Sequence, residues 1–192
     1  MLRPLKPHEV VWRDQLRAEI TKAFDHVRRG TAARGGVDIM SWAESEVVDR
    51  YGTDEERRAA RLADKDTHWL QLVDDTRWQP FAGVGGWTFL AHPSYRYYIP
   101  PTMMRFLLSA RASDETEDKR TRTLTRDLDS RRFADLLHEV ASPPPWSPPE
   151  RAAVARFVWC MERWNDASGN FPRSHNPWRQ ALHAWREHLV EM

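Results

Sequence analysis

Residues 87–110, WTFLAHPSYRYYIPPTMMRFLLSA, constrain this chain most, because an aromatic run ends there on a proline pair. Proline lacks the amide that a helix interior needs and clashes with the preceding turn, so Pro100 and Pro101 predict a boundary between two elements. Ahead of them, Gly83, Gly85 and Gly86 lead into Trp87, Thr88, Phe89 and Leu90, a run with strand preference. His92, Pro93 and Ser94 supply turn chemistry, after which Tyr95, Tyr97 and Ile99 alternate onto one face. The pattern predicts a β-hairpin. Pro101 suits the first turn of a following helix, which Met103, Phe106, Leu107 and Ala110 carry onward. A two-stranded ribbon is marginal alone, so it must lie on helices or pair with further strands.

The rest of the chain reads as helices. Leu16, Ile20, Phe24 and Val27 stripe one face of a helix over about 9–28, broken by Gly30 and the Gly35-Gly36 pair. Ser41 with Glu44 makes a capping box, in which side chains satisfy the first orphan amides reciprocally. Val47, Val48 and Tyr51 continue that face, and Gly52 is placed to cap the C-terminus. Thr53 with Glu56 opens a third, mostly polar helix over about 54–64, with Ala59, Ala60 and Leu62 as a thin contact surface. Trp69, Leu72, Val73 and Trp78 cover the core through a short helix or irregular segment. Residues 111–132 are dense in both charge signs and read as a solvated loop running into a helix over about 124–140. SPPPWSPP is a stiff connector. Ser147, Pro148, Pro149 and Glu150 form the clearest helix start, followed by the face Val154, Phe157, Val158, Met161 and Trp164. SGNFPRSH breaks the pattern, and Asn176-Pro177 starts a last helix striped by Trp178, Leu182, Trp185 and Leu189. The fold class expected is α+β: one mainly helical domain over 1–192, with one β-hairpin or small antiparallel sheet packed on helices. Within it lie residues 9–110, the charged loop 111–132 and the C-terminal helices 133–192.

Composition narrows the function classes. Against 29 basic residues stand 28 acidic ones, a net charge of +1, so the chain offers no general attraction for a polyanion and nucleic acid is disfavoured as a partner. A nucleic-acid surface would need the arginines of 105–132 and 151–163 to share one face. Only four of the basic residues are lysine: Lys6, Lys22, Lys65 and Lys119. Cys160 is the sole cysteine, which excludes an internal disulfide. The N-terminus has no signal-like apolar run, and no stretch nears the roughly 20 apolar residues that span a bilayer. A cytoplasmic location without membrane association is therefore expected.

Three segments together resemble an uncharacterised bacterial family, a domain of unknown function. The first is a helix ending Asp49-Arg50-Tyr51-Gly52, and the second is Thr53-Asp54-Glu55-Glu56 with Arg61, Asp64 and Trp69. The third, FLAHPSYRYYIPPTM, is similar to the family's "FLD-x-x-GFRFYLPAYM", with Phe89, Leu90, Tyr95, Arg96, Tyr97, Tyr98, Pro100 and Met103 in register. PPERAAVARFV matches a further helix start. Ala91 and Ser94 replace the family's Asp and Gly. The resemblance spans about residues 16–160, leaves the last 25 or so residues as an addition, and implies no activity.

Arg96 has two readings. Its guanidinium is suited to holding a carboxylate or phosphate, or it forms a structural pair with Asp49, Asp54 or Asp64 under aromatic cover. The lack of a partnered catalytic signature favours the pair. Those three acids are candidate pocket groups for the competing hydrolase-like reading. The eight histidines make no metal signature: His183 and His188 do not share a helix face, and only His175 could join them. No metal or cofactor is expected, Cys160 reads as a buried inert thiol, and no nucleophile elbow occurs. Ten tryptophans remain, and Trp159 and Trp164 beside arginines have the composition of an interface hot spot. With Arg96 and Tyr98 they are the candidate binding residues. The function expected is a non-catalytic protein-binding module with an unidentified protein partner, such as an immunity or accessory protein that binds a toxin or effector. Self-association stays open.

Overall fold

Capping chemistry sets most helix starts. The computed structural model describes residues 2–29, 39–82, 86–90, 92–141, 146–166 and 176–189. Gly30, Gly35-Gly36, the glycines at 83 and 85, Ala91, the first prolines of the connector, SGNFPRSH and His175 lie outside them. Helix α1 (Pro7–Phe24) opens on a proline, α2 (Trp42–Asp49) on Ser41, whose hydroxyl accepts from the Glu44 amide, and α3 (Asp54–Ala63) on the Thr53–Glu56 capping box. After α4 (Leu70–Val73) and a 3-10 turn (Trp87–Phe89) come α5 (His92–Ser109), α6 (Lys119–Thr125), α7 (Ser130–Glu139), α8 (Pro148–Asp166) and α9 (Trp178–Trp185). The stretch 111–132, read as a charged loop, holds α6, opened by the Asp118 carboxylate. Asp129, not singled out in the sequence, accepts the amides of Arg131 and Arg132 and so starts α7 at Ser130 rather than near residue 124.

The expected α+β class is overturned. Among the described residues there is no sheet, only two isolated bridges, Leu5 to Ala112 and Arg28 to His68. The stretch read as a hairpin is the 3-10 turn followed by α5, which runs unbroken through Pro100 and Pro101. Pro93, read as turn chemistry, is the second residue of that helix, where its missing amide costs nothing. The periodicity misleads because residues 97–107 are all buried. A helix covered on every side carries no polar stripe, and its local alternation then imitates a strand. Each internal proline removes a ladder bond and would cost about 3 kcal/mol in isolation. Burial of Tyr97, Tyr98, Ile99, Met103, Phe106 and Leu107 offsets that, at roughly 1.5–3 kcal/mol for each large apolar side chain.

Around α5 the other helices are layered: α1, α4 and α6 contact it, α8 lies against α1 and α9, and α7 against α9. Buried apolar residues from Leu5 to Trp185 form one cluster. The tryptophans fill it and also strap it. Indole Nε1 of Trp69 donates to the Phe24 carbonyl at 2.9 Å, Trp87 to Pro80 at 2.8 Å, Trp146 to Val140 at 3.0 Å and Trp185 to Leu137 at 2.7 Å. Each bond satisfies a buried donor while tying segments together. Trp69, Leu72, Val73 and Trp78 cover the core as expected.

Arg105, in the middle of α5, is fully buried, with no carboxylate within ion-pair distance among the described residues. Five backbone carbonyls accept from its guanidinium: Nε bonds Val73 at 3.3 Å, Nη1 bonds Trp78 at 2.6 Å and Leu124 at 3.4 Å, and Nη2 bonds Leu72 at 2.8 Å and Asp75 at 2.6 Å. The Trp78 ring covers it at 4.7 Å. Burial pushes its pKa down to about 10, so it is still a cation at neutral pH. One side chain thus collects the loop 72–78 and the end of α6 onto α5.

The α2–α3 corner is the other departure. Tyr51 is 97% exposed rather than part of the apolar face, and its φ of 59° puts it in the left-handed region in place of the expected glycine. Gly52 is needed for space instead: a Cβ there would meet Val47 Cγ1 at 2.4 Å. Glu44 closes the corner through Arg61, at 2.8 and 2.9 Å.

Three substitutions at these positions shift stability in definite directions. Arg105→Lys, which keeps the charge but reaches fewer carbonyls, lowers unfolding free energy in urea by about 3 kcal/mol or more. Tyr51→Gly raises it by up to about 1 kcal/mol, the left-handed penalty less the extra unfolded-state entropy of glycine, whereas Gly52→Ala lowers it.

Candidate functional site

Helices α1 and α8 lie side by side and leave a groove of about 1060 Å³ between them. Its floor is small and apolar, made by Ala23, Ala152 and Ala153, with Trp159 and Leu189 as larger walls. Its rim is polar: Glu19, Lys22 and His26 from the α1 side, Ser147 and Arg156 from the α8 side. Arg156 is ion-paired with Glu19 and reaches Gln15 at 3.5 Å.

At the His26 end sits a charge cluster that organises the start of α8. Glu150 is fully buried, and its Oε1 accepts from Arg96 Nη2 at 2.6 Å and Nε at 3.2 Å. Its Oε2 accepts the Ser147 amide at 2.6 Å, the capping role read from the sequence. His26 Nε2 lies 3.4 Å from Glu150 Oε1 and 3.2 Å from Arg96 Nη2. The imidazole is therefore held at the groove mouth between a carboxylate and a guanidinium, with 60% of its side chain exposed.

The partner of Arg96 is thus Glu150, and the three acids expected near it stand elsewhere. Asp49 is exposed at the end of α2. Asp54 is exposed and paired with Arg57 at 3.4 Å. Asp64 accepts the Ala43 amide at 3.0 Å and borders a second cavity of about 680 Å³, with Trp42, Glu46, Asp66 and Asp75. Of the candidate binding residues, Arg96 keeps 21% side-chain exposure and Trp159 lines the groove. Tyr98 is buried, its hydroxyl donating to the Met40 carbonyl at 3.4 Å, and burial raises its pKa well above the ordinary phenol value. Trp164 is fully buried. The groove brings in residues that sequence reading did not single out, namely Lys22, His26 and Arg156. Their signal was present as spacing: Glu19, Lys22 and His26 recur at three and four residues along α1.

Chemically the groove offers apolar contact, cations and one histidine. Ser147 lines it, but among the described residues its hydroxyl makes no hydrogen bond to His26, and both Glu150 oxygens are already engaged. Burial raises the Cys160 pKa to about 12, which leaves the thiol protonated at neutral pH. No cluster of three metal-ligating side chains occurs among the described residues, nor a helix long and apolar enough to cross a membrane. Arg105, sealed in the core, contributes to no basic surface.

Comparison with known proteins gives this geometry a family but no activity. The chain belongs to a family of unknown function (DUF6714), whose model matches residues 12–189. The resemblance to an uncharacterised family thus holds, and the match reaches past residue 160, so α9 belongs to the family's extent instead of being an addition. No curated protein and no solved structure matches the chain.

A double-mutant cycle in urea separates the two assignments of the Arg96 partner. Arg96→Ala with Glu150→Ala, or with Glu150→Gln where the alanine variant unfolds, couples by more than about 1.5 kcal/mol. Arg96→Ala with Asp64→Ala is additive within about 0.5 kcal/mol.

Proposed function

We propose that this member of a family of unknown function is a non-catalytic protein-binding module that seats a segment of a partner protein in the α1–α8 groove. An immunity or accessory protein that covers a toxin or effector is the concrete form of that role. The observation that carries it is the groove itself: a trough between two long helices with an alanine floor, a half-buried Trp159 and charged residues only along its rim. Apolar centre and polar rim is the anatomy of a protein interface, and a tryptophan beside an arginine at its edge is the usual composition of an anchor point. The engaged Glu150 carboxylate and the lack of a Ser147–His26 bond support binding over hydrolysis.

Photocrosslinking tests this proposal. A benzophenone amino acid at Gln15, exposed on α1 beside Arg156 of the groove rim, captures a discrete host protein, and excess unmodified chain competes for it. Filling the groove with Ala152→Trp abolishes the capture. The same probe at Leu62, 73% exposed on α3, captures nothing comparable. Equal capture from both positions, or capture indifferent to Ala152→Trp, would contradict the role of the groove.

A further inference from the structure

We infer that the occupant of this groove is an acidic amphipathic helix of a partner protein, three to four turns long. The inference rests on the protein-binding proposal and adds the chemistry of the partner. Along α1 the residues Trp12, Gln15, Glu19 and Lys22 recur at spacings of three, four and three, and the stripe continues to His26 just past the helix end. Along α8, Ala152, Arg156, Trp159 and Arg163 recur at four, three and four. The two stripes face one another in antiparallel register. Trp12 meets Trp159 with ring centroids 5.5 Å apart, Arg156 meets Gln15 and Glu19, and His26 meets Glu150 at the far end. Glu19, Lys22, Ala152, Arg156 and Trp159 line the groove itself, and Trp12, Gln15 and Arg163 flank it through their contacts with Trp159 and Arg156. At 1.5 Å per residue, ten residues from Trp12 to Lys22 make a seam of about 15 Å. That length matches the apolar face of a helix of about 10–14 residues laid along it, the helix-in-groove mode of recognition.

Charge selects among occupants. The stripes carry Lys22, Arg156 and Arg163 against Glu19 alone, a net of +2 with His26 counted as neutral. Among the described residues, Lys22 and Arg163 have no carboxylate within ion-pair distance. The Arg163 guanidinium is stacked over the Trp159 ring at 4.2 Å, which fixes it at the seam edge and leaves its donors free. A second copy of this chain would oppose like charges across a two-fold interface, which disfavours self-association through this face. A partner helix with Asp or Glu flanking its apolar stripe instead neutralises both free cations. Nucleic acid is the weaker occupant: the whole chain is nearly neutral at +1, and the tilted Trp12–Trp159 pair is too close to admit a base between the rings.

Fluorescence anisotropy of the full chain with two labelled 14-residue peptides tests the inference. Both carry leucines at helical spacing, one with glutamates and its twin with lysines on the flanks. The glutamate peptide should bind about tenfold tighter, with an advantage that shrinks in high salt. Lys22→Glu with Arg163→Glu, two surface changes that leave the circular dichroism spectrum unaltered, should abolish or reverse the preference. Ala152→Trp should weaken both peptides. Equal affinities that Ala152→Trp still weakens would overturn the acidic partner while the groove proposal stands. No binding of either peptide, tighter binding of a single-stranded oligonucleotide, or a dimer in sedimentation that Ala152→Trp dissolves would each overturn the inference.

Discussion

A single buried cation organises this protein. Arg105 has no carboxylate within ion-pair distance among the described residues. Asp127, Asp75 and Asp74 act on it only from farther off, so its charge is held inside chiefly by the five carbonyls that converge on the guanidinium. An uncompensated ion in an apolar interior costs several kcal/mol, and an unsatisfied buried carbonyl costs about 1–3 kcal/mol. Each side therefore needs the other. The loop over 72–78 and the end of α6 cannot drift from α5 without exposing both debts at once. That mutual need explains how a helix with two internal prolines sits at the centre of the molecule rather than at its edge.

From that centre, two further arginines set the position of the groove walls. Arg13 on α1 donates to the Ala110 carbonyl just past the end of α5, at 3.0 Å, and also binds Glu115, which holds α1 on the scaffold. At the other end Arg96 on α5 holds Glu150, and with it the first turn of α8. The separation of α1 from α8 thus depends on contacts that α5 makes to each. Small alanines in the facing turns leave the trough open between them. The rings that dominate the composition are mostly spent on the interior, where they interlock and donate indole hydrogen bonds. Trp12 and Trp159 are the pair left at the surface seam.

What could be read from the sequence follows from how local the controlling physics is. Ser41, Thr53 and Glu150 announced their helices because a cap is a contact across three residues. The amphipathic helices α1 and α8 were legible because water lies on one side of each. Helix α5 was not, since burial on all sides erases the period and proline chemistry then argues for a break. Arg105 was invisible for a different reason: in a chain rich in arginine, nothing local distinguishes one that is fully buried. The Arg96–Glu150 pair spans 54 residues, so the cap role of Glu150 was evident while its second role was not. Of the groove, Trp159 was anticipated, and Lys22 and His26 emerged only when α1 was seen against α8.

Native-state hydrogen exchange of the α5 amides tests most directly whether this buried helix is the scaffold. With α5 at the centre, the amides of Met103 through Leu107 exchange only through global unfolding and share its denaturant dependence, while those of the exposed α3 exchange earlier through local opening. Amides of 103–107 that exchange as fast as those of α3, or an extended-strand signature in the carbon shifts of residues 94–99, would contradict it.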